Sequence, residues 1–161
     1  MTTQATRRIG RKARFDSPEQ EVYLSLWRTY DRLRALEDEL FGRFKLTAQQ
    51  YNVLRLLRAE HPLRTLELAN RLISRAPDIT RMLDRLEERG LVIRERKSEN
   101  RRVVEVDITS AGLALLREIA QPLRTCHEQQ LGHLSKGELR NLSNLLRSAR
   151  APHEDDNSVW K

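Results

Sequence analysis

The chain has 161 residues and a formal net charge of +7, from 30 basic and 23 acidic side chains. This is the length of one ordinary domain, and a basic surplus favours a polyanionic partner. No apolar run approaches the roughly 20 residues of a membrane helix, and the basic N-terminal stretch lacks the apolar segment of a secretory signal. These features exclude a membrane-spanning or secreted protein, and we expect a soluble, cytoplasmic one.

The first 16 residues are polar and aperiodic, which predicts a flexible basic arm. Its charges are Arg7, Arg8, Arg11, Lys12 and Arg14, and residues 1–14 contain no acid. A second basic segment, residues 71–102, holds ten basic and six acidic side chains. The positive charge is therefore concentrated in two segments of the chain.

The first predicted helix begins at Ser17-Pro18, because serine caps a helix, proline suits its first position, and Gln20 is placed to complete a capping box. Apolar residues then recur at helical spacing as far as Phe44, which predicts about 25 residues of helix. They include Tyr23, Leu26, Trp27, Tyr30, Leu33, Leu36, Leu40 and Phe41. One long apolar stripe needs a large partner surface, which a second subunit would supply.

A second helix is predicted after Thr47, which forms a capping box with Gln50. It ends at His61-Pro62, because a residue before proline avoids helical geometry. Leu63-Arg64 is predicted as a very short strand.

Two more short helices follow with a tight break between them. Thr65 is predicted to cap the first, and the second runs from Pro77 to about Arg89, where Gly90 closes it. The hydrophobic period then changes to about two over residues 91–95 and 103–108, which predicts a β-hairpin with a long polar tip.

The last part of the chain returns to helical periodicity. Thr109 or Ser110 begins a helix that Pro122 is expected to kink. A capping box from Ser135 to Glu138 opens a final helix, and the residues after Ala151 look like a loose tail.

Two short helices followed by a charged hairpin are typical of a winged helix-turn-helix, in which one helix enters the DNA major groove. The outward positions of the fourth helix include Thr80, Arg81 and Arg85, which suit contacts with bases and phosphates. The alternative is that its arginines pair with acids of their own helix on a solvated face. Those acids are Asp84, Glu87 and Glu88.

The helix start and the hairpin tip add further candidates. Asp78 is an acid where phosphates would approach, or else it stabilises the helix N-terminus. Arg101 and Arg102 lie at the tip, where a guanidinium could enter a minor groove.

Residues 47–112 resemble the multiple-antibiotic-resistance repressor (MarR) family of winged-helix regulators. The stretch from Ile79 to Arg96 (ITRMLDRLEERGLVIRER) carries the resemblance, together with Asn100-Arg101-Arg102 and the VDITSAG run at 106–112. The order of elements over 17–150 also matches.

This resemblance implies a mainly α fold with a small β-hairpin wing, and a homodimer that binds a palindromic operator in double-stranded DNA. It places recognition helix 77–89 in the major groove and the wing in the adjacent minor groove, often with release by a small aromatic or phenolic ligand. The organisation we expect is a basic arm (1–16), a helical dimerisation region (17–46 and 110–150), a DNA-binding region (47–109) and a tail (151–161).

The DNA contacts that we predict on this basis are Ser74, Arg75, Thr80, Arg81, Arg85, Lys97, Arg101 and Arg102. The wing departs from the family pattern, because Lys97 and Asn100 stand where the family usually has aspartates. That departure bears on how the wing is braced. Oxidation-sensing members carry a cysteine in the first helix, which this chain lacks.

No pattern in the sequence supports catalysis or a cofactor. The single Cys126 excludes an internal disulfide and a CxxC metal site, and we expect it to be half-buried and inert rather than reactive. No two histidines are spaced as metal ligands, and the glycines do not form a phosphate-binding loop. We therefore expect a protein that is not an enzyme and has no metal.

Trp27, Tyr30 and Tyr51 are candidates for an effector pocket, although aromatic residues at helical spacing more often form core or dimer contacts. The function that we predict is that of a DNA-binding regulator that acts as a repressor. Two alternatives stay open at this point: a winged-helix module that binds other proteins, and a non-specific nucleoid-type DNA binder that uses the basic arm.

Overall fold

The computed structural model describes residues 15–73, 78–96, 103–156 and 158–160. The elements are the helices α1 (Pro18–Arg43), α2 (Ala48–Ala59), α3 (Thr65–Arg71), α4 (Ile79–Glu88), α5 (Ser110–Leu131) and α6 (Lys136–Arg150), the strands β1 (Leu63–Arg64), β2 (Val92–Arg96) and β3 (Val104–Ile108), and a 3-10 helix (Ala151–His153). The mainly helical class with a small hairpin is therefore confirmed. None of the helices in the described ranges is long and apolar enough to span a membrane.

The chain divides into a first unit that ends at Arg34 and a second unit that begins at Ala35. In the first unit, α1 begins as predicted, with the hydroxyl of Ser17 accepting from the backbone N–H of Gln20 at 3.1 Å. Much of its apolar surface is exposed there, and Tyr23 meets Trp27 edge to face with ring centroids 6.5 Å apart.

The core of the second unit is rich in leucine. Its most buried side chains are Phe41, Leu54, Leu57, Leu68, Leu83, Leu86, Ile119, Val53, Val92 and Val106. Phe41, near the end of α1, stacks on Tyr51 of α2 with a centroid distance of 4.8 Å. The predicted capping box of α2 is present, because the Thr47 hydroxyl accepts from the Gln50 N–H and the Gln50 side chain accepts from the Thr47 N–H.

The three strands form one antiparallel sheet in the order β1-β3-β2. The hairpin register runs from Val92 opposite Ile108 to Arg96 opposite Val104, and β1 adds Leu63 opposite Val106. Leu63, Val92, Val106 and Ile108 of this sheet are buried in the core, and β2 packs beside α4.

The prediction that Thr65 caps α3 is wrong by one residue. Arg64 occupies the N-cap, and its backbone N–H donates to the Glu67 carboxylate at 3.2 Å. The Thr65 hydroxyl instead donates to the carbonyl of Val104 at 3.3 Å, because β1 runs directly into the helix and turns this side chain toward β3.

The last two helices differ in how much of them one chain buries. Thr109 caps α5, which continues through Pro122 and carries six buried residues, whereas no described residue of α6 is buried. The Ser135–Glu138 capping box of α6 is present as predicted. After α6, the carbonyl of Trp160 accepts hydrogen bonds from the Arg150 guanidinium at 2.9 and 3.2 Å.

Candidate nucleic-acid interface

Helix α4 presents one apolar and one polar face. Leu83 and Leu86 are buried in the core, and the helix packs beside β2 of the sheet. Asp78 caps the helix, its carboxylate accepting from the Arg81 N–H at 2.9 Å. Asp78 therefore stabilises the helix start, as one of the two readings of the sequence proposed.

Three of the predicted contact residues lie together on the outer face of α4. Thr80, Arg81 and Arg85 are all exposed. Arg81 makes a long ion pair with Asp78, with Nε and Oδ2 3.3 Å apart. Arg85 makes no hydrogen bond or ion pair with any other described residue.

Two acids of α4 are occupied by an arginine from the hairpin. Arg94 of β2 donates to the Glu87 carboxylate from Nε at 3.0 Å and from Nη2 at 2.6 Å, and Nη2 also donates to Asp84 at 2.6 Å. The backbone N–H of Arg94 donates to the other Glu87 oxygen at 2.9 Å. The Arg94 side chain is only 24% exposed.

The same contacts shift the ionisation of both partners. The side-chain hydrogen bond to Arg94 lowers the pKa of Glu87, and its counterpart raises the pKa of Arg94. Asp84 and Glu87 are thus paired with β2 and not with Arg81 or Arg85 of their own helix. Of the two arginines of α4, Arg81 pairs with Asp78, and Arg85 makes no ion pair with a described residue.

The sequence did not single out Arg94. The feature that could have pointed to a cation here is the pair of acids Asp84 and Glu87, which are three residues apart on one face of the helix. Only the register of β2 beside α4 brings a cation to that face. This contact braces strand β2 of the hairpin against α4.

The outer face of α4 is flanked by concave surface on both sides. On one side, a cavity of about 330 Å³ is lined by Thr47, Gln49, Gln50, Asp78, Arg81, Met82 and Arg85. On the other, a groove of about 590 Å³ includes Arg64, Thr80, Arg94 and Arg96. The predicted contacts Ser74, Arg75, Lys97, Arg101 and Arg102 lie outside the described residues.

Known proteins resemble this chain in sequence and in fold. The profile of the MarR family matches residues 46–104, which include the helix-turn-helix and the start of β3. A crystal structure of a MarR transcription factor from Planctomyces limnophilus is 60% identical, has a TM-score of 0.67, and is aligned over 83% of this chain and 98% of that one. The chain belongs to the MarR family of transcriptional regulators.

Two further MarR-type structures bear on the interface. A mutant of MarR from E. coli, solved in complex with operator DNA, is 26% identical over 80% of this chain and 93% of that one, with a TM-score of 0.73. BpsR from Bordetella bronchiseptica, whose DNA binding is regulated by 6-hydroxynicotinic acid, is 26% identical over 83% and 95%, with a TM-score of 0.74. The chain is also 33% identical to a curated transcriptional regulator from Bacillus cereus, and it spans 63% of the length of that relative.

This MarR-family chain has a groove of about 800 Å³, and one of the three effector-pocket candidates, Tyr51, lines it. Its lining is apolar at Leu116, Ala120, Leu123, Leu131 and Leu139, and it is charged or polar at Glu37, Arg58, Arg124, His127 and Glu128. Glu37 and His127 contact each other at 3.1 Å. Trp27 and Tyr30 are exposed on α1 by 64% and 63%.

The single thiol is buried in the second unit. Cys126 is 5% exposed, more buried than the sequence suggested, and burial raises the pKa of its thiol away from the reactive thiolate. The described residues hold no group of three or more His, Cys, Asp or Glu side chains arranged for a metal ion.

Proposed function

We propose that this chain is a transcriptional repressor that binds a palindromic operator as a homodimer, with α4 in the major groove. The observation that carries the proposal is the sorting of charge on α4. Its acids Asp84 and Glu87 are held by Arg94, whereas Arg85 stands exposed and unpaired among the described residues. A helix that presents free guanidinium and hydroxyl groups next to a braced hairpin fits a DNA groove.

The roles follow from position on the helix and hairpin. Thr80, Arg81 and Arg85 contact bases and phosphates in the major groove. Arg101 enters the minor groove, Arg102 and Lys97 bind nearby phosphates, and Ser74 and Arg75 in the turn bind the backbone. Residues 47–109 are the DNA-binding region, and 17–46 with 110–150 form the dimer.

Support for the dimer comes from apolar residues that the single chain leaves exposed. On α6, Leu145 is 68% exposed, and Leu142 and Leu146 are each 37% exposed. On α1, Tyr23, Trp27 and Tyr30 are each more than 60% exposed. Exposed apolar residues at this density favour burial against a second copy. Two-fold symmetry would then place the two α4 helices at half-sites roughly 10 bp apart.

We further propose that a small aromatic or phenolic compound releases the DNA by binding in the 800 Å³ groove of Tyr51. The apolar part of its lining suits a ring, and Arg58 and Arg124 in the lining suit an ionised phenol or carboxylate. BpsR, a structural relative regulated by a hydroxylated aromatic acid, supports this class of effector.

The function is tested by in vitro selection from a random duplex pool, followed by fluorescence polarisation with the selected duplex at two salt concentrations. We expect an inverted repeat to be enriched and its affinity to fall steeply with salt. No enrichment, with no DNA binding, would leave a protein-binding module. Equal affinity for selected and random duplexes, lost when residues 1–14 are deleted, would indicate a nucleoid-type binder.

A further inference from the structure

One side chain ties the end of α4 to the end of α1. Arg89, the residue directly after α4, donates from Nη1 to the carbonyl of Lys45 at 2.6 Å and from Nη2 to the carbonyl of Phe44 at 3.2 Å. Both carbonyls belong to the turn that follows α1. Carbonyls at a helix C-terminus lack partners in the helix and carry partial negative charge, so a guanidinium suits them.

The two helix ends that Arg89 joins are both closed turns. At the end of α1, the N–H of Leu46 donates to the carbonyl of Phe41 at 3.0 Å, and Lys45 adopts a left-handed φ of 53°. At the end of α4, Gly90 adopts a φ of 67° in the corresponding position. Turns of this kind hold the backbone in one conformation, so Arg89 joins two fixed points.

A second contact holds the same end of α4 from the other side. The hydroxyl of Thr109, the N-cap of α5, donates to the carbonyl of Gly90 at 2.6 Å. The end of α4 is thereby held between α1 and α5, the helices that flank the winged helix in the chain. Arg89 supplies the contact with α1 across 44 residues of sequence.

We propose that Arg89 is a positioning residue that fixes α4 relative to α1 and thereby sets the half-site spacing that the dimer accepts. The proposal rests on the proposed dimeric DNA binding. The two α4 helices of a dimer can hold one separation only if each is joined rigidly to the helices that form the dimer. Without the guanidinium, the side-chain hydrogen bonds that remain hold this helix to α5 and β2 but not to the end of α1.

The experiment uses the full-length protein and duplexes carrying the selected operator, with the half-sites moved apart or together by one and two base pairs. Arg89→Met keeps the aliphatic stem and removes the donors and the charge. The matched control is Arg43→Met, which removes the same charge at the same end of α1. Among the described residues Arg43 pairs with Glu39 alone, at 2.7 Å, and both side chains are more than 60% exposed.

Wild-type protein and Arg43→Met should lose about tenfold in affinity when the spacing changes by one base pair. Arg89→Met should lose less than about threefold, while its affinity for an isolated half-site and its melting midpoint follow the control. A spacing penalty equal to that of the wild type would overturn the proposal. If the wild-type protein enriches no repeat, the proposed function is wrong. If it enriches a repeat but Arg89→Met keeps the wild-type spacing penalty, only the proposal for Arg89 is wrong.

A second measurement does not depend on DNA. A nitroxide label on Glu88→Cys reports the distance between the α4 helices of a dimer by pulsed electron–electron double resonance. The unsubstituted protein is the control for labelling of the buried Cys126. Arg89→Met should broaden the distance distribution, and Arg89→Lys, which keeps one donor, should restore part of its sharpness. An unchanged width in Arg89→Met would contradict the proposal.

Discussion

Helices α4 and α6 are both amphipathic, yet a single chain buries the apolar face of α4 and not that of α6. The apolar residues of α4 reach the core, where Leu83 and Leu86 are at most 1% exposed, and two of its acids, Asp84 and Glu87, bind Arg94. The apolar residues of α6 reach no comparable cover, and no described residue of that helix is buried. The two helices therefore differ in packing: α4 is held by contacts within the chain, whereas the apolar residues of α6 stay largely uncovered by it.

We propose from this difference that the two helices serve different partners. Among the side chains that α4 leaves exposed, Thr80, Arg81 and Arg85 suit the phosphates and base edges of DNA, whereas Glu88 is an exposed acid. The side chains that α6 leaves free are leucines, and they suit another apolar surface. Each of the following predictions breaks or sharpens this contrast.

The largest effect should come from placing charge on the apolar face of α6. In Leu142→Asp/Leu146→Asp, we expect the dimer to dissociate, because burying two carboxylates between subunits is strongly unfavourable. Operator affinity should then fall by about a thousandfold, toward non-specific binding. Sedimentation and polarisation measure both effects, with Asn144→Asp on the polar face of the same helix as the control. Retention of the dimer in the double variant would remove α6 from the interface.

The next effect should come from the free guanidinium of α4. Arg85→Ala should weaken binding to the selected operator by about tenfold or more and binding to random duplex by much less, because a base-edge contact carries sequence discrimination. Circular dichroism should show an unchanged fold, since Arg85 contacts no other described residue through a hydrogen bond or ion pair. Equal losses on both duplexes would make Arg85 a phosphate contact.

A smaller effect should follow from removing the brace between β2 and α4. Arg94→Met releases two acids beside the DNA face and loses charged hydrogen bonds, so we expect stability to fall by about 1–2 kcal/mol and operator affinity to fall severalfold. Adding Asp84→Asn and Glu87→Gln should recover the affinity, because the freed negative charge is removed. If the triple variant binds no better than Arg94→Met, repulsion by these acids is not the cause.

The smallest effect should be the pH dependence of that brace. The pKa of Glu87 is lower in the folded chain than its ordinary value of 4.5 because of the hydrogen bond from Arg94. The stabilisation is therefore fully present above about pH 4.5 and is lost as the pH falls through the lowered folded value. Denaturant unfolding should show the difference between wild type and Arg94→Met shrinking over that range. A difference that is constant or grows on acidification would contradict this origin.

Local rules predicted much of the second unit from the sequence. The capping boxes at Thr47 and Ser135 fixed two helix starts, Gly90 fixed a helix end, and the change of period located the hairpin. These features depend on residues within one turn of each other, which is why sequence spacing is sufficient to find them.

The features that escaped prediction depend on contacts between distant elements. Arg94 became visible only once β2 lay beside α4, and Arg89 only once the turn after α1 lay within hydrogen-bond distance. Thr65 was misplaced because its partner is the carbonyl of Val104, 39 residues away. Periodicity places side chains on faces, and it contains no information on which charged groups meet across those faces.

The most direct test of the central claim is a methylation-protection footprint of wild-type protein on the selected operator. If two copies of α4 occupy successive major grooves, guanine N7 atoms should be protected in two clusters on one side of the duplex, centred roughly 10 bp apart. In Arg85→Ala, the same clusters should lose protection. Protection spread evenly along the duplex, or confined to the minor groove, would contradict the account.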